Sequence, residues 1–343
     1  MKFVKALLIT ASIFVLGFAL IYFVDTANAE YDINDITVTG YVRVSSGSYH
    51  NVRQKASESS KILGKLYLNE PVEIVETVGD WHKIKYLDSY AYVHSKYIKD
   101  EPLVVFYDDV PASDLKNDNI PNLRVRYIGY LSEKTGAYPM KSSKRNCYIP
   151  AGPIAIFSLQ DEYAIIAKGR QLLRVGIQYF DQIVVIDSAA DACYEPVIAA
   201  YTTFFSTRNT NRVNNIELGA EAMKTTLVPG EEYSFNRIVG KRSPEKGYLM
   251  ANAYKGQEVI QDYGGGVCQL SSTLYAAIRL DPNFSITQRY IHSMEVDYLP
   301  VGMDATVNWN NRDIRFVNNY PFNVYVNTYI NNGMLTITIH KTP

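Results

Sequence analysis

Three residues in the last third of the chain have the types and order of a nucleophile, a base and an orienting acid: Cys268, His292 and Asp304. Cys268 opens the stretch CQLSSTLYAAIRL, whose apolar spacing predicts a helix from Cys268 to Leu280 with Leu270, Leu274, Ala277 and Ile278 on its buried face. A thiol in the first turn of a helix meets the positive end of the macrodipole and free N–H groups, and both favour thiolate. Gly264, Gly265 and Gly266, just before it, carry no side chains and so let a substrate backbone approach closely. The amides of Cys268 and Gln269 are placed to face a developing oxyanion. ITQRYIHSMEVDYL and DATVNW read as strands, with His292 in the middle of the first and Asp304 at the start of the second. Paired with each other and packed on the Cys268 helix, these strands would set the imidazole between thiol and carboxylate.

Each residue also has a structural reading. Cys268 fits a small buried side chain, since free cysteine behaves as a modest hydrophobe. The glycines fit tight packing of helix on strand, His292 a hydrogen-bonded structural residue, and Asp304 a turn cap.

The elements that would carry the site are legible on either side. RNTNRVNNIELGAEAM, from Arg208 to Met223, predicts a helix with Ile216, Ala220 and Met223 on one face. LVPGEEYSFN is a turn at Pro229-Gly230 leading into a strand, and Pro300 to Gly302 is a further turn. FNVYVNTY and MLTITIH, joined at Asn331-Asn332-Gly333, predict a terminal hairpin.

Upstream, residues 36–100 show short strands parted by turn residues and no helical period. Val72, Ile74 and, past a Gly79-Asp80 turn, Trp81 and Ile84 have strand spacing, with Trp81 read as a core aromatic. NVRQKASESSKILGKL, VEIVETVGDWHKIKY and AYVHSKYI together resemble a bacterial SH3 domain. That resemblance implies a small β-barrel that binds peptidoglycan or its stem peptides. This copy has Tyr90-Ala91-Tyr92 where the family often carries a Gly-Trp pair. The same pattern returns further on without a gap: Pro71 falls on Pro153, Ile74 on Ile156, Trp81 on Tyr163, Ile84 on Ile166, Val93 on Val175 and Tyr97 on Tyr179. A one-residue slip would exchange the faces of each strand, so a constant offset predicts a diverged SH3-like repeat over 127–183. Residues 101–126, rich in Asp, Asn and Pro, read as the linker.

FFSTRNTNRVNNIELGAEAM, VPGEEYSFNRIVG, GYLMANAY, YGGGVCQLSSTLYAAI, YIHSMEVDYLPVGMDATV and DIRFVNN, in that order, resemble the VanW family, named for an accessory protein of B-type vancomycin resistance clusters. The resemblance covers residues 204–340 and implies an α+β domain, here bounded as 195–343, with a cell-envelope role connected to peptidoglycan. Gly264, Gly265, Gly266, Cys268, Gln269, Ser272, Tyr275, His292, Ser293, Gly302 and Asp304 match its strongest motifs; of these, Gly264 to Gly266, Gln269, Ser272 and Tyr275 are the expected binding residues. The order of helix cysteine, strand histidine and strand aspartate is also that of transglutaminase-like and papain-like hydrolases. The expected fold class is thus a mostly β N-terminal half of two small SH3-like barrels followed by an α+β VanW-type domain.

The first 29 residues set the compartment. Lys2 and Lys5 precede an apolar run from Ala6 to Val24, and Ala27-Asn28-Ala29 has the small-x-small form of a cleavage site. The run suits a cleaved signal peptide or a membrane anchor, and either places the rest of the chain outside the cytoplasmic membrane. A net charge of −1 with no stripe of Lys or Arg excludes a nucleic-acid partner, and 28 tyrosines fit β-rich structure. With three cysteines, Cys147, Cys193 and Cys268, at least one thiol is unpaired. A Cys147–Cys193 bridge needs their Cα atoms within about 7 Å. No CxxC or His-rich cluster supports a metal, and no cofactor is expected. Two functions fit: a cysteine amidase, peptidase or transpeptidase of wall stem peptides, or a non-catalytic wall-binding or assembly module.

Overall fold

The computed structural model describes residues 38–44, 48–87, 89–100, 116–160, 162–186, 196–255 and 258–342. The expected leader, most of the linker, and Cys193 with its possible bridge lie outside the described residues.

The first β unit holds β1 (Val38–Val42), β2 (Tyr49–Arg53), β3 (Ile62–Tyr67), β4 (Pro71–Val78), β5 (Trp81–Tyr86), β6 (Ser89–His94) and β7 (Ile98–Lys99). They form one antiparallel sheet in the order β3-β2-β6-β5-β4-β1-β7. Alternation along each strand sends Val52, Leu66, Val72, Ile84, Ala91 and Val93 into one apolar core. The turn between β4 and β5 uses Gly79 at φ +58°, which only glycine adopts freely. Trp81 is not in that core. It pairs with His94 at the end of the β5–β6 ladder and is half-buried, its ring 5.2 Å from the His94 ring.

The second β unit holds β8 (Tyr127–Leu131), β9 (Thr135–Pro139), β10 (Cys147–Ile149), β11 (Gly152–Ile156), β12 (Ser158–Gln160), β13 (Tyr163–Lys168), β14 (Gln171–Gly176) and β15 (Phe180–Val185). Its two sheets run β10-β9-β14-β13-β12 and β11-β8-β15. β1 pairs with β4 and β7, and β8 pairs in the same sense with β11 and β15. Both β6 and β14 lead into a single 3-10 turn, Ser95–Tyr97 and Ile177–Tyr179. The described end of the expected linker does not hang free: Ile120 and Leu123 are buried with Phe157, Ile165 and Leu172.

The C-terminal region holds β16 (Val197–Phe204), α1 (Thr210–Ala222), β17 (Thr225–Leu227), β18 (Glu232–Ser234), α2 (Phe235–Val239), β19 (Met250–Lys255), β20 (Glu258–Tyr263), α3 (Cys268–Ile278), β21 (Phe284–Gln288), β22 (Arg315–Asn318), β23 (Asn323–Asn331) and β24 (Met334–Thr342). The main sheet runs β16-β24-β23-β17, and α3 lies on β16 and β24. α1 starts where the Asn209 side chain accepts the Arg212 N–H at 3.0 Å. The β23–β24 hairpin turns at Asn332 (φ 45°) and Gly333 (φ 81°), the positive-φ pair of a tight two-residue loop.

Two further expectations need correction. α3 is not amphipathic: Gln269 to Ala276 are all buried, because the main sheet covers one side and residues 296–307 the other, and Ala277 is only half-buried. Nor do His292 and Asp304 lie on strands. β21 ends at Gln288, and beyond it side chains take the groups a ladder would use. The Asp304 carboxylate accepts the His292 N–H at 2.8 Å, and the Arg289 guanidinium donates to the Asp304 and Gly302 carbonyls. One backbone bond still ties the two segments, Thr306 N–H to Tyr290 O at 2.7 Å.

Candidate active site

The chain arrives at Cys268 through a tight glycine turn. Gly266 has φ +106°, and a Cβ there would lie 2.7 Å from Arg212 Cγ. A Cβ on Gly265 would lie 2.5 Å from the Ala251 carbonyl oxygen. The close approach that these glycines permit is therefore to the protein's own backbone and to α1, although all three still border the cleft.

Cys268 is the first residue of α3, and its Sγ is surrounded by polar groups. The thiol donates to Val307 O (3.3 Å), lies 3.6 Å from Thr306 Oγ1, and receives the Val307 N–H at 3.5 Å. The His292 ring lies near enough to act on the thiol electrostatically. His292 Nδ1 in turn lies 2.7 Å from Asp304 Oδ2. The order of contacts is Cys268, His292, Asp304. Separate segments bring them together, since Ser271 and Ser272 of α3 clamp the Ala305 backbone: Ser271 Oγ donates to Ala305 O at 2.6 Å, and Ser272 Oγ accepts the Ala305 N–H at 3.0 Å.

The charges follow from this packing. Burial pushes the Cys268 thiol up, but the hydrogen bond and charge of His292 and the bonds from Val307 and Thr306 outweigh it, leaving a pKa of about 7. Burial pushes His292 down, while hydrogen bonds with Asp304 and Cys268 outweigh that and lift it to about 9. Burial disfavours the Asp304 carboxylate, yet its bonds with His292 and the Arg289 charge hold it below the usual carboxylate range. Between those two values the favoured state is thiolate beside imidazolium, titrating as a pair.

A cleft of about 1480 Å³ opens over the sulfur. Its lining combines Lys134, Tyr148 and Lys168 of the second β unit with Arg212, Arg242, Tyr254 and Trp309 of the C-terminal region. Six basic residues line it (Lys134, Lys168, Arg212, Lys241, Arg242 and Arg312) against Asp262 and Asp297, on a chain whose net charge is −1.

Three expected site residues serve differently from the sequence reading. The Gln269 N–H donates to Gly266 O at 3.0 Å, so it is not free for an oxyanion. The Gln269 side chain is spent on Thr203, Phe204 and Arg212. Ser272 and Tyr275 are fully buried and lie outside the cleft lining: one turn of α3 further along, they face the segment behind the triad. Ser293 and Gly302 flank the triad residues in sequence, Gly302 with φ +85° in the turn before Asp304. Residues that sequence reasoning missed are Arg289, Arg212, Arg242 and Tyr298, whose hydroxyl lies 3.4 Å from Ser272 Oγ. Arg289 sits three residues before His292, and the others carry no local motif.

The model of the family described as VanW like protein matches residues 211–340, and that described as Bacterial SH3 domain matches 45–99. Residues 211–340 are a VanW-like domain. A relative in Bacillus subtilis (strain 168), the uncharacterised protein YoaR, is 38% identical over 146 residues, 42% of this chain and 48% of its own length. The chain thus spans about half of that relative. A shorter match, 45% over 51 residues, covers 15% of this chain and 6% of bacteriocin BCN5 of Clostridium perfringens. Among solved structures, NlpC2 from Trichomonas vaginalis aligns at 10% identity over 43% of this chain and 49% of its own, with a TM-score of 0.17, too low to bear on the fold. The candidate triad falls wholly inside the VanW-like domain, and the bacterial SH3 domain supplies most of the first β unit. Together the two domains suggest a cell-wall-related protein with an extracellular or envelope location. Among the described residues no helix is long and apolar enough to cross a membrane.

Proposed function

We propose that the chain is a wall-acting cysteine acyltransferase that cleaves or exchanges amide bonds in peptidoglycan stem peptides. Cys268 is the nucleophile, His292 the base and Asp304 the orienting acid. The observation that carries this reading is the Asp304 Oδ2–His292 Nδ1 bond of 2.7 Å beside the Cys268 thiol, with both Cys268 and His292 lining an open cleft. The thiolate adds to the amide carbon, the imidazolium gives its proton to the departing amine, and the C–N bond breaks to leave a thioester. Water or an acceptor amine then adds while His292 takes its proton, and the C–S bond breaks to restore the thiolate.

The basic cleft supports a substrate that carries carboxylates, as stem peptides do, and its aromatic lining suits their apolar parts. The upstream β units, which we read as an SH3 domain and a diverged repeat of it, hold the site near its polymer and raise local substrate concentration. An N-terminal leader or anchor would place the chain outside the cytoplasmic membrane.

A second reading draws on one observation. With the Gln269 N–H already spent on Gly266, the expected pair of oxyanion donors is incomplete, as suits a site that binds wall peptides without cleaving them. The test is incubation of purified muropeptides with wild type and Cys268→Ala, followed by mass analysis. Products that need Cys268 support the enzyme; peptide retained intact by both proteins supports the binder.

A further inference from the structure

Behind the triad lies a buried charge that the first β unit supplies. The Arg289 guanidinium donates to Asp304 O from Nε (2.8 Å) and Nη2 (2.7 Å), to Gly302 O from Nη2 (3.0 Å), and to the Glu70 carboxylate from Nη1. Its Nη2 also lies 3.8 Å from Asp304 Oδ1. Glu70 is 219 residues away in sequence, in the turn between β3 and β4. That turn is fixed: Glu70 Oε2 accepts the Tyr67 N–H at 2.9 Å, Asn69 is fully buried with φ 61°, and a Cβ on Gly302 would lie 2.6 Å from Tyr67 Cβ. Arg279, the residue just after α3, donates to Leu68 O at 3.0 Å and pins the same turn.

We propose that Glu70 is a positioning residue for the candidate site, holding Arg289 so that the Asp304 carboxylate stays free to orient His292 against Cys268. This rests on the triad reading above. Arg289 is buried between two carboxylates. With Glu70 in place its charge is neutralised on the side of the first β unit, and Asp304 Oδ2 keeps both His292 donors, the ring Nδ1 and the backbone N–H. Without Glu70 the guanidinium has Asp304 as its remaining anion, and in a low-dielectric interior it competes with the imidazole for that carboxylate. The imidazolium then loses its counter-charge, and the thiolate loses its imidazolium. The other titratable groups around this centre are Tyr67 and Tyr86 of the first unit, Tyr275 of α3, Arg279 just past its end, and Tyr290 and Tyr298 of the segment carrying His292. Burial raises the Tyr67, Tyr86, Tyr275 and Tyr298 phenols and keeps them neutral, and Arg279 stays cationic, so none of these replaces the missing negative charge. The VanW-like domain therefore borrows part of its site from the SH3 domain, and the β3–β4 turn is a component of that site as well as of a tether.

The test compares full-length wild type, Glu70→Gln and Glu70→Asp by the pH dependence of iodoacetamide labelling at Cys268, with the His292 ring followed by NMR titration. Glu70→Gln is expected to raise the labelling inflection by about one pH unit, roughly ten times less thiolate on the acid side, and to lower the His292 pKa. Glu70→Asp is expected to move both in the same direction by less. A role confined to stability would lower the melting temperature and leave the inflection in place, which would overturn the proposal. If Glu70→Gln does not fold, Glu70→Asp decides: a displaced inflection supports the proposal, and a superimposed one overturns it. A wild-type Cys268 that labels only after denaturation would defeat the triad reading itself, and this inference with it. A normal wild-type profile left unmoved by Glu70→Gln defeats this inference alone.

Discussion

The two upstream β units share a strand-pairing scheme but join the VanW-like domain by different physics. The first keeps its own apolar core and touches the domain through directional polar contacts, Glu70 with Arg289 and Leu68 O with Arg279. The second shares its core: Phe157, Ile165 and Leu172 pack with Tyr201, Ala276, Val296, Leu299 and Met303, and Met334 of β24 enters a second cluster with Ile154 and Ile166. A polar joint sets orientation, because hydrogen bonds have direction, whereas an apolar joint sets cohesion. On the proposal above, the first unit aligns the candidate triad, while the second lines the cleft with Lys134, Tyr148 and Lys168.

The largest effects are expected at the site that both units serve. Cys268→Ser should remove turnover of muropeptides by about 10³-fold or more, and Asp304→Asn should cost about as much by favouring the wrong imidazole tautomer, with KM little changed in steady-state assays. The pH profile of kcat/KM should be bell-shaped, rising through about 7 as Cys268 ionises and falling through about 9 as His292 loses its proton. Truncations in the two cores probe the comparison itself. Ile165→Ala and Ile84→Ala each remove a buried side chain and should cost about 2–5 kcal/mol. In denaturant titrations the first should destabilise the second unit and the VanW-like domain together, while the second should loosen the first unit in a separate, earlier transition. Coincident transitions for both variants would erase the distinction. The smallest effect belongs to the cleft wall: Lys134→Ala with Lys168→Ala should raise KM about two- to fivefold at low salt and less at high salt, leaving kcat unchanged.

Much of this was readable in the sequence because it is local. Asn332-Gly333 writes a tight hairpin, alternation around Gly79-Asp80 writes another, and a cysteine opening an apolar-periodic stretch marks the start of α3. The order of the three triad residues was legible for the same reason. Their support was not. The strands expected around His292 and Asp304 do not form because Asp304 and Arg289 side chains capture the backbone groups that a ladder requires, and periodicity carries no trace of such capture. Tyr275 looked like a binding residue because it lies in a strong motif, but its ring lies beneath the Arg289 guanidinium at 4.7 Å. Glu70 was invisible as a site component, since nothing in a β-turn announces a partner 219 residues away.

The central claim is that Cys268 and His292 form a thiolate–imidazolium pair in the folded protein. Iodoacetamide labelling of wild type and His292→Ala across pH 5–9 tests it most directly. Native wild type is expected to label with an inflection near 7, moving toward the ~8.5 of a free thiol in His292→Ala. Equal inflections in the two proteins, or a wild-type thiol that reacts only after unfolding, would contradict it.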